Sequence, residues 1–290
     1  MRPKRRVVRS SRVQQKKKLK LKRRSLFTLA IFVLVIIGVS LLSRIDALTV
    51  SNISIEGNDV IETSVLKNEI TSIISGSHII LFPKKSSFFL PARKIKRDLL
   101  SEHTRIETIT LSRSNFQSIE LSITERKGEY LWCGDFIEED ATAETCYYVD
   151  AQGTIFAEAP YFSGPIFFKF YTNPDETTEG DLLGSKVLPS ELFTQILSMK
   201  DFLTNVNIKT QAVSVTEDRL YELFISSNED SLMQSPKILF NSDNNFEAIF
   251  NNLGSALQTE PFATDYKDDL KDLLYIDLRF DNKVLYKFES

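Results

Sequence analysis

The chain has 290 residues, of which 42% are apolar and 26% charged, the profile of a globular protein that buries a core and is long enough for about two domains. Its net charge of −3 conceals a sorting along the chain: residues 1–24 carry thirteen Lys or Arg and no acid, whereas the remainder has 23 basic and 39 acidic residues. That excludes one averaged surface and implies two environments, one for a basic end and one for an acidic body.

The boundary between them is residues 25–43, SLFTLAIFVLVIIGVSLLS, an uncharged run of 19 residues. As a helix it spans about 28 Å, close to a hydrocarbon core of about 30 Å, and it satisfies its own backbone polar groups there. The basic block before it holds the N-terminus in the cytoplasm, so residues 44–290 are expected outside. A cleaved signal sequence is the competing reading. Its apolar region usually runs only 7–15 residues, and Asp46 spoils the one candidate cleavage site, Ile45–Asp46–Ala47, so a retained anchor is expected. Arg5, Arg6, Lys16, Lys17 and Lys18 invite a nucleic-acid reading, but the tail has no aromatic side chain for stacking on bases. A topology signal with attraction to acidic lipid heads accounts for them.

Residues 51–126 read as strand, helix, helix, strand, strand. Ile53 and Ile55 alternate with polar residues, and Gly57–Asn58–Asp59 turns the chain. Leu66, Ile70, Ile73 and Ile74 share one face of a helix from about Thr63 to Ser75, with Gly76 at its stop. Pro91 opens a second helix with Ile95, Leu99 and Leu100 inward. Strands follow at Ile106, Ile109 and Leu111, and at Ile119, Leu121 and Ile123. Lys84, Lys85, Arg93, Lys94, Lys96 and Arg97 form a basic patch, read as a solvated helix face or a contact for lipid heads or an acidic partner.

Beyond residue 127, strands are expected at Tyr130–Trp132, Tyr147–Asp150, Thr154–Glu158, Pro165–Tyr171, Ala212–Thr216, Tyr221–Ser226 and Lys237–Phe240. Asp150–Gly153 is a tight turn. One helix places Leu192, Ile196, Met199 and Leu203 on a face, and a second does so with Phe246, Ile249, Phe250, Leu253 and Leu257. Cys133 and Cys146 flank an acidic stretch, GDFIEEDATAET, that reads as a hairpin tip. In an exported body the even count points to a disulfide, with two buried free thiols as the alternative. The last segment alternates most strictly: Leu274, Ile276, Leu278 and Phe280 face one way, a turn follows at Asp281–Asn282, and Val284, Tyr286 and Phe288 then alternate with Lys283, Leu285 and Lys287. Two residues later the chain ends, so this strand is expected at a sheet edge.

This order of motifs resembles the FtsQ/DivIB family of bacterial cell-division proteins. ISIEGNDVIETSVLKNEI resembles the opening strand, turn and helix of the family's POTRA domain, and SIELSITERKGEYLW its last strand running into the next domain. CYYVDAQGTIFAE, EGDLLGSKV and above all YIDLRFDNKVLYKF resemble segments of the family's β domain. The resemblance implies an α+β fold with a single N-terminal transmembrane helix, a βααββ POTRA domain and a mixed, mostly antiparallel β domain with peripheral helices. The divisions expected are a basic cytoplasmic tail at 1–24, the transmembrane helix at 25–43, a juxtamembrane linker at 44–50, the POTRA domain at 51–126 and the β domain at 127–290. The resemblance also implies a divisome scaffold at the septum that recruits FtsB-like and FtsL-like bitopic proteins and helps control septal peptidoglycan synthesis. Strand addition at the C-terminal edge would serve that role, with Arg279, Phe280, Asn282, Val284, Tyr286 and Phe288 at the matching positions. Arg279 would pair with a partner carboxylate or with an acid of its own chain, and Val284 and Tyr286 would face the partner or their own core.

Other classes of function find less in the residues. An enzyme such as a membrane-anchored wall hydrolase lacks a nucleophile motif, a phosphate-binding loop and an H-E-x-x-H pair, and the two histidines, His78 and His103, read as structural. Glu138–Glu139 and Asp268–Asp269 lie in polar segments without apolar walls. No cofactor, metal, nucleic acid or small-molecule substrate is expected. A POTRA-type chaperone for outer-membrane insertion would need a following barrel of eight or more amphipathic strands, and the later strands are fewer and shorter.

Overall fold

The computed structural model describes residues 11–78, 81–138, 144–174, 182–216, 220–227, 231–241, 246–260, 262, 272–280 and 283–289. The fold is mixed α+β and divides into two compact units: residues up to Glu102 with Thr108–Glu125, and His103–Glu107 with Arg126 onward.

The first unit opens with α1 (Ser11–Leu42), which contains a 25-residue stretch, Lys18–Leu42, long and apolar enough to cross a membrane. Its apolar side chains have no core to enter: Leu26, Phe27, Leu29, Phe32 and Leu34 are 59–71% exposed, on every side of the helix. A helix apolar all round is suited to lipid, which covers all faces alike. A 3₁₀ turn at Asp46–Leu48 leads into β1 (Asn52–Glu56), α2 (Thr63–Ile74), the two-residue strands β2 (Ser77–His78) and β3 (Phe82–Pro83), α3 (Ala92–Glu102), β4 (Ile106–Arg113) and β5 (Ser118–Glu125). The sheet order is β1-β5-β4, and β1 lies parallel to β5. Gly57 turns the chain with φ +83°, and a Cβ there would run into the Ile123 carbonyl oxygen, so only glycine fits. Beside it, the Glu125 carboxylate accepts the N–H groups of Asp59, Val60 and Ile61 at 3.0–3.1 Å, satisfying donors left open ahead of α2. Leu66, Ile70, Ile74, Ile95, Leu99, Ile119, Leu121 and Ile123 are buried. Leu100, expected inward on α3, is 39% exposed, because the inward stripe is carried by Ile95 and Leu99 at i, i+4 spacing.

The second unit is built on a nine-stranded sheet. Its strands are β6 (Tyr130–Trp132), β7 (Tyr147–Val149), β8 (Ile155–Glu158), β9 (Phe168–Tyr171), β10 (Thr210–Val215), β11 (Leu220–Ile225), β12 (Lys237–Asn241), β13 (Leu273–Phe280) and β14 (Lys283–Phe288), in the order β14-β13-β12-β11-β10-β9-β6-β7-β8. The pairs β6–β9, β9–β10 and β12–β13 run parallel and the others antiparallel. Parallel neighbours need a long crossover, which explains the two helices: α4 (Ser190–Asn205) connects β9 to β10, and α5 (Phe246–Ala256) lies between β12 and β13. Both helices enter one core. Phe193, Ile196, Met199 and Leu203 of α4 and Phe246, Ile249 and Leu253 of α5 pack with Phe170, Val213, Leu223, Ile238 and Ile276. Phe193 takes the buried place expected for Leu192, which is only partly covered. The Asp150 turn is buried and self-satisfied: its carboxylate accepts the Gln152 and Thr154 N–H groups at 2.9 and 2.8 Å and the Arg126 guanidinium.

Ile196 is fully buried between α4 and the sheet, and its replacement by alanine is expected to cost about 2–5 kcal/mol. Trp132, the single tryptophan, lies in the same unit, so denaturation of the full chain in detergent followed by tryptophan fluorescence measures the loss.

Candidate partner-binding edge

The nine-stranded sheet has two outer strands, and they are treated differently. Along β8, Ile155 N–H donates to Ser185 O at 3.0 Å and Gly184 N–H donates to Ile155 O at 2.7 Å, so residues 184–186 close that edge. Thr104 Oγ1 also donates to Phe156 O at 2.8 Å. Along β14 the pairing is with β13 alone, and among the described residues no strand lies on its outer side. An edge left in this way offers a row of N–H and C=O groups to an added strand.

The inner face of β14 is anchored by aromatic packing. Tyr286 and Phe288 stand 5.2 and 5.9 Å from the ring of buried Phe262, and 5.7 Å from each other. Val284 and Phe288 pack on the main core, whereas Tyr286 is still 46% exposed. Between α5 and β14 a groove of about 300 Å³ is lined by Asn252, Ser255, Thr259, Phe262, Val284 and Tyr286. Leu285, on the opposite face, is 46% exposed between Lys283 and Lys287.

Two register shifts in the β13–β14 ladder alter the expected alternation. Leu273, not Leu274, is buried with Ile276 and Leu278, and Phe280 turns outward to 48% exposure. A bulge of one residue moves every side chain beyond it to the other face. Arg279 is held within its own strand: Nε donates to Asp277 Oδ1 at 2.8 Å and a terminal nitrogen to Oδ2 at 2.6 Å. The two residues are only two apart along β13, so the fork closes within a single strand. Asp277 is buried; burial alone would raise its pKa, but the hydrogen bonds and charge of Arg279 outweigh it and hold the carboxyl below its ordinary value. Asn282 lies outside the described residues.

A second polar cluster was not legible in the sequence. Glu144, in the stretch read as an acidic hairpin tip, has a nearly inaccessible side chain that accepts Lys169 Nζ and Tyr171 OH, each at 2.8 Å. Burial and the Glu144 charge push the Tyr171 phenol far above its ordinary range. Cys133 and Cys146 are joined in a disulfide beside this cluster. Glu144 and the two sulfurs lie close enough together to suggest a metal site, but both sulfurs are spent on each other, which leaves one carboxylate already satisfied by Lys169 and Tyr171. Trp132 donates its indole N–H to Thr172 O at 2.7 Å and packs on Tyr147. His78 sits within β2, its Nε2 3.2 Å from Phe89 O. Glu139, Asp268 and Asp269 lie outside the described residues.

No family model matches the chain, and no curated protein matches it. The site therefore stands on its own geometry.

The Asp277 pKa is lowered on folding, so its contribution is present above the unfolded value of about 3.9 and is lost as pH falls through the folded value. Asp277→Asn is expected to destabilise the full chain at pH 7 by about 1.5–3 kcal/mol, the worth of hydrogen bonds to a charged group. Urea titrations at pH 7 and pH 3 check it: the gap between variant and parent should shrink at the lower pH.

Proposed function

We propose that the chain is a bitopic, non-enzymatic scaffold of the bacterial divisome, of the FtsQ/DivIB type, that captures an extended segment of an FtsB-like partner at β14. Its N-terminus lies in the cytoplasm, its body outside the cell membrane at the septum, and through FtsB-like and FtsL-like proteins it helps control septal peptidoglycan synthesis. The observation that carries this reading is the contrast, among the described residues, between a closed edge at β8 and an open one at β14. The membrane-crossing length of α1, the basic residues ahead of it and the order of residues 52–125 (strand, helix, two two-residue strands, helix, strand, strand) support the same reading, the last through its likeness to a POTRA domain apart from the two short strands.

The roles of the edge residues follow from their exposure. The β14 backbone supplies the pairing groups, and the half-exposed Phe280 and Tyr286 supply apolar contact. Val284 and Phe288 hold the strand to its own core from beneath. Arg279, already paired with Asp277, acts as a positioning residue that stiffens β13 ahead of the turn. The groove between α5 and β14 gives a partner side chain a place beside Tyr286.

A photo-crosslinking residue at Leu285 in dividing bacterial cells is expected to attach to a small single-span partner. Deletion of residues 282–290 is expected to abolish that capture while leaving the chain inserted in the membrane. Undiminished capture by the shortened chain would refute the edge as the site.

A further inference from the structure

The lower end of the first unit is tied to the end of the apolar helix. Ser40 Oγ, in the last turn of α1, donates to Leu81 O at 2.7 Å. Ser87 N–H donates to Leu48 O and Val50 N–H donates to Lys85 O, each at 2.9 Å. The turn after β4 joins the same knot: Gln117 Nε2 donates to Asp46 O at 3.2 Å, and Ser51 N–H to Gln117 O at 2.9 Å. Three loops are thus fastened within a few residues of where the span ends. At that last turn Ser40 and Ser43 are buried, whereas Leu41 and Leu42 remain 64% and 56% exposed.

The side chains these loops present are unusual for a surface in water. Leu81, Phe88 and Phe116 are 43%, 60% and 56% exposed, and the two phenylalanine rings stand 5.8 Å apart. Ile45, just past the span, is 46% exposed. Lys84 and Lys85 stand on the same loop as Leu81 and Phe88, and among the described residues neither forms an ion pair. They differ in this from Lys94 and Arg97 on α3, which share Asp98 at 3.8 and 3.0 Å. The basic patch read from the sequence therefore divides into a partly neutralised part on α3 and two lysines on the loop tied to the span.

We propose that this face rests on the outer leaflet, with Ile45, Leu81, Phe88 and Phe116 among the upper acyl chains and Lys84 and Lys85 on acidic phospholipid heads. Aromatic and aliphatic side chains flanked by lysines are the composition that settles at a membrane interface. The Ser40–Leu81 bond sets the depth, since it places Leu81 beside a residue of the span itself. An acidic protein would answer the lysines but would not explain four exposed apolar side chains beside the last helical turn. The inference rests on α1 crossing the membrane.

The test uses the full chain, whose two cysteines are bonded to each other, so that one introduced cysteine takes a fluorophore without competition. Phe88→Cys and, separately, Val35→Cys are labelled and reconstituted into vesicles carrying spin-labelled lipid, made of phosphatidylcholine alone or of equal parts phosphatidylcholine and phosphatidylglycerol. Position 35 reports insertion of the span. Strong quenching at both positions in the phosphatidylglycerol vesicles is expected, with the lipid-contacting population at position 88 falling on the order of tenfold when Lys84→Glu and Lys85→Glu are added. Quenching at 35 with none at 88 overturns the proposal and leaves the span intact. Absence of quenching at both positions overturns the span as well. Quenching at 88 that ignores both the lipid charge and the lysine reversals overturns the assignment to acidic heads.

Discussion

A β-sheet leaves unpaired backbone groups along its two outer strands, and a folded chain must either cover them or put them to use. The second unit treats its two outer strands differently. Residues 184–186 and Thr104 close the β8 side with main-chain and hydroxyl bonds. Among the described residues β14 has no strand on its outer side, and it is stiffened from within by Phe262, Tyr286 and Phe288. An edge that captures a partner needs this combination, because a strand that must first be ordered spends binding energy on its own conformation.

The helices serve the same end. Parallel neighbours force a crossover, and two of the three here, β9 to β10 and β12 to β13, bury a helix against one core. α5 lies between β12 and β13 in the chain and contributes one wall of the groove beside β14. The candidate site is thus the rim of the main core, held by the same packing that stabilises the unit. Elsewhere, two adjacent residues show how local chemistry divides the labour. Glu125 satisfies three N–H groups of the loop before α2, and Arg126 holds the Asp150 turn and donates to Thr104 O.

Much of the secondary structure was legible because burial writes a period into the chain. The α2 and α5 stripes, the strict alternation of β5 and the unbroken apolar run of α1 all follow from one-sided or all-round burial. Where the ladder slips, the period fails. The shift near Leu273 exchanges that residue with Leu274, and the shift between Asp277 and Phe280 turns Phe280 outward. Neither bulge contains a residue type that announces it.

The amino-acid order alone determined that one segment is long and apolar enough to cross a membrane, that the basic and acidic residues are sorted to either side of it, and that residues 274–288 alternate as two strands. These are properties of neighbours in sequence, where charge, length and period act directly. The tertiary structure decided which outer strand has no neighbour among the described residues, that Phe280 turns outward, that Glu144 is buried under Lys169 and Tyr171, and that Leu81, Phe88 and Phe116 lie on loops tied to the end of α1 and the residues just after it. Each of those depends on backbone groups and side chains brought together from distant parts of the chain or on a register slip, and no local pattern of residue types encodes such distances.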